Sequence, residues 1–184
     1  MKILGVSGTI AGSKTGVVIR EILKEIHSIS PICETKMLDL KQYDIQFCDG
    51  RPPSEYEGDT KKAIDLIGEC DAYIFGTPIF NGSMSGALKN LFDLVPPEQF
   101  NEKVIGFAAT GGKREHYLVI ENQLKPIASY CGAYVAPAIV FADGKQFNEN
   151  NEIIDGSLID SIRTFAQQFV KMALNLNQAE QEIS

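Results

Sequence analysis

Phe75-Gly76-Thr77-Pro78-Ile79-Phe80-Asn81-Gly82-Ser83-Met84-Ser85-Gly86-Ala87-Leu88-Lys89-Asn90 carries an apolar strand into a loop of Pro, Gly, Asn and Ser and out again into a helix. Asp71-Ala72-Tyr73-Ile74-Phe75 reads as a buried strand that Pro78 stops. Asn81-Gly82-Ser83 supplies turn and N-cap chemistry, and Leu88, Leu91 and Phe92 form a helical stripe. The loop therefore lies at the carboxyl end of a strand with backbone N–H groups aimed outward, and in open α/β sheets those ends are where ligands bind.

The same alternation runs along the rest of the chain. Ile3-Leu4-Gly5-Val6-Ser7 is a short apolar strand, followed by a Gly/Ser/Thr loop and then Val17, Val18, Ile22, Leu23 and Ile26 at helical spacing. Thr35-Lys36-Met37-Leu38-Asp39-Leu40 alternates like a second strand. Residues 43–58 form a long loop rich in Pro, Gly and charge, a length that usually signals function or mobility. Further strands are expected at Val104-Ile105-Gly106-Phe107-Ala108-Ala109 and Tyr134-Val135-Ala136-Pro137-Ala138-Ile139-Val140, with a helix over about 115–130 that Pro126 should kink. A last helix over about 157–174 carries Leu158, Ile162, Phe165, Phe169 and Met172 on one face. Five strands alternating with five helices predict an α/β three-layer sandwich. Its parallel sheet should have the flavodoxin-like order 2-1-3-4-5 with helices on both faces. Residues 1–174 are thus one domain, and the polar stretch 175–184 is expected to be a disordered tail.

Composition narrows the function. At 184 residues with 44% hydrophobic side chains the chain can bury one core without disulfides or metal. A formal net charge of −7 opposes tracking a nucleic-acid backbone, though not local recognition of a small anion. Cys33, Cys48, Cys70 and Cys131 include no CxxC pair and His27 and His116 are far apart, so no metal site is expected and reduced thiols in the cytoplasm are the simple reading. No apolar run approaches the roughly 18 residues of a membrane span.

Two further loops belong with the first. Ser7-Gly8-Thr9-Ile10-Ala11-Gly12-Ser13-Lys14-Thr15-Gly16 places hydroxyls, glycines and one cation between a strand and its helix. A phosphate there would be held by N–H groups, by the helix dipole and by Ser7, Thr9, Ser13, Lys14 and Thr15. Neither nucleotide pattern fits: Ser13 separates Gly12 from Lys14, which breaks the P-loop register, and the spacing of Gly5 and Gly8 breaks GxGxxG. A hydroxyl-rich loop of low formal charge suits a terminal monophosphate; an ordinary turn capped by Ser13 is the alternative. Thr110-Gly111-Gly112-Lys113-Arg114 follows the fourth strand, where paired glycines either let backbone approach a flat ligand or simply make a turn. Three loops on one sheet edge point to a single shared site. Phe80 and Tyr117 could flank an aromatic ring there or join the core.

These residues resemble the NADPH-dependent FMN reductase family of flavodoxin-like flavoproteins, over the chain to about Phe169. Thr77-Pro78-Ile79-Phe80-Asn81-Gly82-Ser83-Met84-Ser85-Gly86-Ala87-Leu88-Lys89-Asn90 is similar to the family's flavin-ring loop and following helix almost position by position. Ala109-Thr110-Gly111-Gly112, His116, Leu124-Lys125-Pro126 and Val140-Phe141-Ala142-Asp143 resemble the branch associated with sulfonate utilisation, which often feeds reduced flavin to a monooxygenase. The resemblance implies FMN held by the first loop, by Pro78, Ile79, Phe80, Asn81, Gly82 and Ser83, and by Thr110, Gly111 and Gly112. NAD(P)H would pass hydride to FMN and leave before a free flavin, quinone or azo acceptor enters, a ping-pong scheme that needs no catalytic side chain. A flavodoxin-type electron carrier is the alternative.

Three further expectations follow from the resemblance. Arg51, Lys113 and Arg114 are candidates for the phosphorylated nicotinamide ribose. The branch carries a Tyr tied to flavin exchange where this chain has Asn122-Gln123, which implies tightly kept FMN. Family members pair into homodimers or homotetramers, with the 43–58 loop reaching across to a neighbour or closing on its own site as a lid.

Overall fold

The computed structural model describes residues 1–183, with side-chain surroundings given through residue 178. Its five strands, β1 Lys2–Ser7, β2 Glu34–Asp39, β3 Ala72–Pro78, β4 Val104–Gly111 and β5 Tyr134–Asp143, form one parallel sheet in the order β2-β1-β3-β4-β5. The central strands are mostly apolar and buried along almost their whole length because both faces are covered, as parallel sheets require. On one face lie α1 (Lys14–Ile29) and α5 (Gly156–Ile183), burying Val18, Ile22 and Ile26 against Leu158, Phe165 and Phe169. The other face is covered by α2 (Gly58–Gly68), α3 (Gly86–Leu94) and α4 (Lys125–Tyr130), around Tyr73, Phe75, Phe100 and Phe107.

The last helix runs past the end expected for it. It is helical to Ile183 where composition predicts a disordered tail, with Ala173 buried and Leu176 partly buried against the α1/α5 core; Ser184 lies outside the described residues. Among the described residues no helix is long and apolar enough to cross a membrane.

The single kinked helix expected over 115–130 is built in three pieces: a 3-10 turn Arg114–Tyr117, a π-helix Ile120–Leu124, and α4. Pro126 has no N–H to give the carbonyl four residues back, and immediately before it the ladder shifts, the Lys125 N–H reaching Ile120 O five residues back. Pro126 then sits in the first turn of α4, where a missing donor costs nothing.

The 43–58 loop is tied to its own chain. The N–H of Gln46 donates to Thr60 Oγ1 (2.9 Å), and the Asn90 side chain on α3 both accepts from Cys48 N (2.9 Å) and donates to Gln46 O (2.9 Å). Further on, Tyr56 is buried, its hydroxyl donating to Asp49 Oδ1 (3.0 Å) and accepting from Asp49 N (3.1 Å). Arg51 pairs with the same carboxylate and lies over the Tyr56 ring, 4.9 Å from its centroid. Tyr43 and Ile45 are partly buried against the core, while Phe47 remains 82% exposed.

Candidate functional site

The carboxyl ends of β1, β3 and β4 meet at one edge. The Gly8 N–H donates to Gly76 O (2.8 Å), and a Cβ on Gly8 would lie 2.7 Å from that oxygen and 2.8 Å from Leu88 Cβ, so only glycine lets the first loop cross here. Ser85 is the N-cap of α3, accepting from Leu88 N (3.1 Å) while its hydroxyl donates to Gly8 O; Thr77 Oγ1 accepts from Ser85 N (3.0 Å). The cap is thus Ser85 rather than the expected Ser83. Asn81 and Gly82 both have positive φ (50° and 75°) inside a Phe80/Ser83 bridge with N–H···O bonds of 3.0 Å each way. Asn-Gly favours this tight turn because both central residues must enter the left-handed region. It therefore closes a small hairpin in front of the helix rather than starting it.

A cleft of about 420 Å³ opens above this junction, lined by Ser13, Lys14, Thr15, Pro78, Phe80 and Thr110 among others. The structure thereby brings together residues expected from three separate loops. Thr15 and Thr110 are joined directly, their hydroxyl oxygens 2.8 Å apart in a buried contact. Ile79 is buried behind the wall, its N–H on Thr110 O (2.8 Å). Phe80 is 52% exposed at the rim and Tyr117 is also exposed, so neither joins the core.

Within the first loop the hydroxyls divide. Thr9 Oγ1 bonds its own loop, donating to Ala11 O (2.7 Å) and accepting from Ala11 N (3.1 Å). The Lys14 ammonium turns to Gly144 O (3.3 Å) and sits over the Phe147 ring at 5.3 Å, away from the role of sole phosphate cation. Ser7 Oγ is buried and has no hydrogen-bond partner, and Ser13, at the N-cap of α1, makes no side-chain cap bond. The first turn of this 16-residue helix also contains no acidic residue. Its N–H groups and positive dipole end therefore face the cleft without an internal counter-charge. An orphaned buried hydroxyl beside an uncapped helix N-terminus fits a phosphate group.

The third loop differs from expectation in detail. A Cβ on Gly111 would lie 2.8 Å from His116 Nδ1, so this glycine makes room for a histidine, whereas a Cβ on Gly112 meets nothing within 4 Å. His116 Nδ1 is itself buried without a partner. Arg51 is engaged with Asp49 and stacked on Tyr56, which removes it as a free cation, while Lys113 and Arg114 are exposed beside Gly112.

Two contributors were not anticipated. Asn151, from the β5–α5 connection, lines the cleft with positive φ (60°); its surrounding Asn-rich run signals a turn by composition and nothing more. Gln123, in the π-helix, accepts from Ser83 Oγ (2.8 Å) and donates to Gly82 O (3.3 Å), clamping the hairpin from 40 residues away.

A five-stranded 2-1-3-4-5 sheet with an anion-ready helix N-terminus and a cleft above its strand ends defines a flavodoxin-like mononucleotide-binding protein. Residues 1–148 match the family model for NADPH-dependent FMN reductase, and the chain belongs to that family. It is an oxidoreductase with FMN as cofactor and NAD(P)H as reductant. An NAD(P)H-dependent FAD/FMN reductase of Geobacillus thermodenitrificans is 49% identical over 176 residues, covering 96% of this chain and 95% of the relative. A Pseudomonas aeruginosa FMN reductase (NADPH) is 29% identical over 168 residues, covering 91% and 89%. In fold, the chain is similar to the flavoenzyme NAD(P)H:(acceptor) oxidoreductase FerB of Paracoccus denitrificans, with a TM-score of 0.74 at 15% identity, covering 95% and 97%.

Proposed function

We propose that this chain holds FMN tightly in the cleft and uses it to carry reducing equivalents from NAD(P)H to a small-molecule acceptor by a ping-pong scheme. The observation that carries the reading is the buried, unpartnered Ser7 hydroxyl beside the uncapped N-terminus of α1. Ser7, Ser13 and the first N–H groups of α1 hold the phosphate, and Lys14 and Thr15 shape the wall around it. The Phe80–Ser83 hairpin and Thr110-Gly111-Gly112 present backbone to the ring, and Phe80 supplies an aromatic edge. Bound there, FMN supplies the hydride chemistry, accepting from the nicotinamide and giving to the acceptor. The protein's own part is to fix position and to aim N–H dipoles at developing negative charge. Lys113 and Arg114 remain the cations available to a phosphorylated nicotinamide ribose. With the flavin kept in the cleft, a small acceptor is reduced directly. The exposed Tyr117 and Leu118 beside the third loop are a surface for pairing into a homodimer or homotetramer.

Titration of the purified protein with FMN and FAD, followed by NAD(P)H oxidation kinetics, tests this. FMN should bind tightly and stay bound through gel filtration, and initial rates should give parallel double-reciprocal lines. Ser7→Ala and Ser13→Ala should each weaken FMN by about 1.5–3 kcal/mol, the usual worth of a hydrogen bond to a charged group. Unchanged affinity in both variants would move the phosphate elsewhere.

A further inference from the structure

Gly16, in the first turn of α1, is a glycine that the fold does not require. Its backbone is ordinary right-handed helix, so no left-handed φ demands it, and alanine suits a helix better. A Cβ built there would also fit, at ordinary contact distances of 3.4 Å from Ser7 Oγ and 3.5 and 3.7 Å from Nη1 and Nη2 of Arg20. What the missing Cβ leaves is a gap. On one side of it stands the buried Ser7 hydroxyl, which has no hydrogen-bond partner, and on the other the Arg20 guanidinium. The first bond of the helical ladder runs from Val17 N–H to Ser13 O (3.0 Å), so the N–H of Gly16 and the two before it belong to the uncapped end of α1.

The guanidinium is placed against its own electrostatic interest. Side chains on a helix lean toward its N-terminus, which brings Arg20 from one turn further on back over Gly16, facing the positive end of the helix dipole. A cation in that position is unfavourable until an anion joins it. Three carboxylates line the same groove as Arg20, yet each is engaged elsewhere: Glu21 with Lys24 (3.4 Å), Glu25 with Arg163 (3.4 Å), and Glu152 accepting from Asn148 Nδ2 (2.7 Å). Among the described residues Arg20 has no ion pair or side-chain hydrogen bond. The other cations at the first loop are occupied, Lys14 by Gly144 O and the Phe147 ring and Lys41 by Gly12 O (3.1 Å).

We propose that Arg20 is the counter-charge of the flavin phosphate, and that the phosphate sits in the gap over Gly16 between Ser7 Oγ and the guanidinium. The proposal rests on the FMN reading above and names the side chain that makes the site select a phosphate monoester. A guanidinium offers two parallel N–H donors to two phosphate oxygens. The uncapped N–H groups of α1 meet the same dianion from below, and the Ser7 hydroxyl donates from the inner side. The anion in turn removes the repulsion between Arg20 and the helix end. Gly16 is then explained, because a methyl group there would take the space of a phosphate oxygen. The cation that the first loop does not spare is thus supplied from the second turn of the helix.

Fluorescence titration of the full chain, freed of flavin, with FMN and with riboflavin, which lacks the phosphate, tests this. The wild type should bind FMN the more tightly. Arg20→Gln should weaken FMN by about tenfold or more, the usual loss when a charge-assisted pair to phosphate goes, and leave riboflavin unchanged. It should also flatten the dependence of FMN affinity on salt, with Arg20→Lys falling between. Gly16→Ala should raise the urea midpoint of the flavin-free protein while weakening FMN and sparing riboflavin. A wild type that prefers FMN, with that preference and its salt dependence intact in Arg20→Gln, overturns the role of Arg20 and leaves the phosphate in the cleft. An equal loss of FMN and riboflavin in Arg20→Gln overturns it as well, since the side chain would then act on the fold. Unchanged FMN affinity in Gly16→Ala removes the phosphate from the gap. A wild type that binds the two flavins equally overturns this inference and the phosphate reading of the cleft together.

Discussion

Gly111 and His116 show how one residue's freedom serves another's position. The missing Cβ on Gly111 leaves room for an imidazole whose Nδ1 would otherwise lie 2.8 Å from it, and that nitrogen is buried without a partner. Gly111→Ala should therefore destabilise the protein by about 1–3 kcal/mol through overpacking. His116→Ala in the same chain should restore most of that loss in a urea titration. If the double variant is no more stable than Gly111→Ala alone, the clash is not with the imidazole. The sequence showed that a glycine pair stood here but gave no sign that the neighbour demanding space was a histidine five positions on, because that contact depends on the 3-10 turn Arg114–Tyr117 folding back.

At the level of elements, the π-helix and the long loop each act on a partner distant in sequence. The wide turn before Pro126 carries Gln123 onto Gly82 and Ser83, so the side chain braces a hairpin that would otherwise rest on its own two backbone bonds. Gln123→Leu removes both contacts, and at about 0.5–1.5 kcal/mol per hydrogen bond the expected result is several-fold weaker flavin binding with faster amide exchange over 80–84. Gln123→Glu keeps the acceptor for Ser83 and should recover much of the affinity. Equal affinity in the wild type and the leucine variant would make the brace incidental.

The long loop has its own staple. Arg51 above all, helped by the Tyr56 hydroxyl, holds the Asp49 carboxyl below its ordinary value of 3.8. A lowered carboxylate stabilises the fold above its ordinary value and loses that contribution as pH falls through the depressed one. The urea midpoints of the wild type and Asp49→Asn should accordingly differ at neutral pH and converge in strong acid. A gap that persists unchanged to low pH would assign the difference to packing rather than charge.

For the whole molecule, the two faces of the sheet are closed by the chain's own helices, and what remains exposed and apolar is unevenly spread. Tyr117 and Leu118 lie beside the third loop, while Tyr130 and Tyr134 lie near the β5 edge. Closed symmetry would cover such a patch with its own copy. Sedimentation at micromolar concentration should show little monomer, and Leu118→Glu should shift the population toward it without lowering the thermal midpoint of the monomer. A monodisperse monomer with full NAD(P)H turnover would show that the site is complete within one chain.

The sequence by itself determined the order of strands and helices, the sheet edge on which the loops gather, and the family. Those follow from short-range facts: apolar runs long enough for a strand buried on both faces, helical spacing, and turn residues such as Asn81-Gly82 whose backbone demands are local. It also placed Ser13, Lys14, Thr15, Pro78, Phe80 and Thr110 in loops at the same edge, and they line one cleft. The tertiary structure alone decided what each side chain does there. Thr9 and Lys14 were turned inward on Ala11 and Gly144, Ser7 was left without a partner, and Asn151 and Gln123 were brought in from elements whose composition announces no site. Likewise, the length of the 43–58 loop signals either function or mobility, and only the structure shows Asn90, Thr60 and Tyr56 fixing it. A hydrogen bond is made or missed over tenths of an ångström between residues tens of positions apart, and spacing along a chain carries no such information.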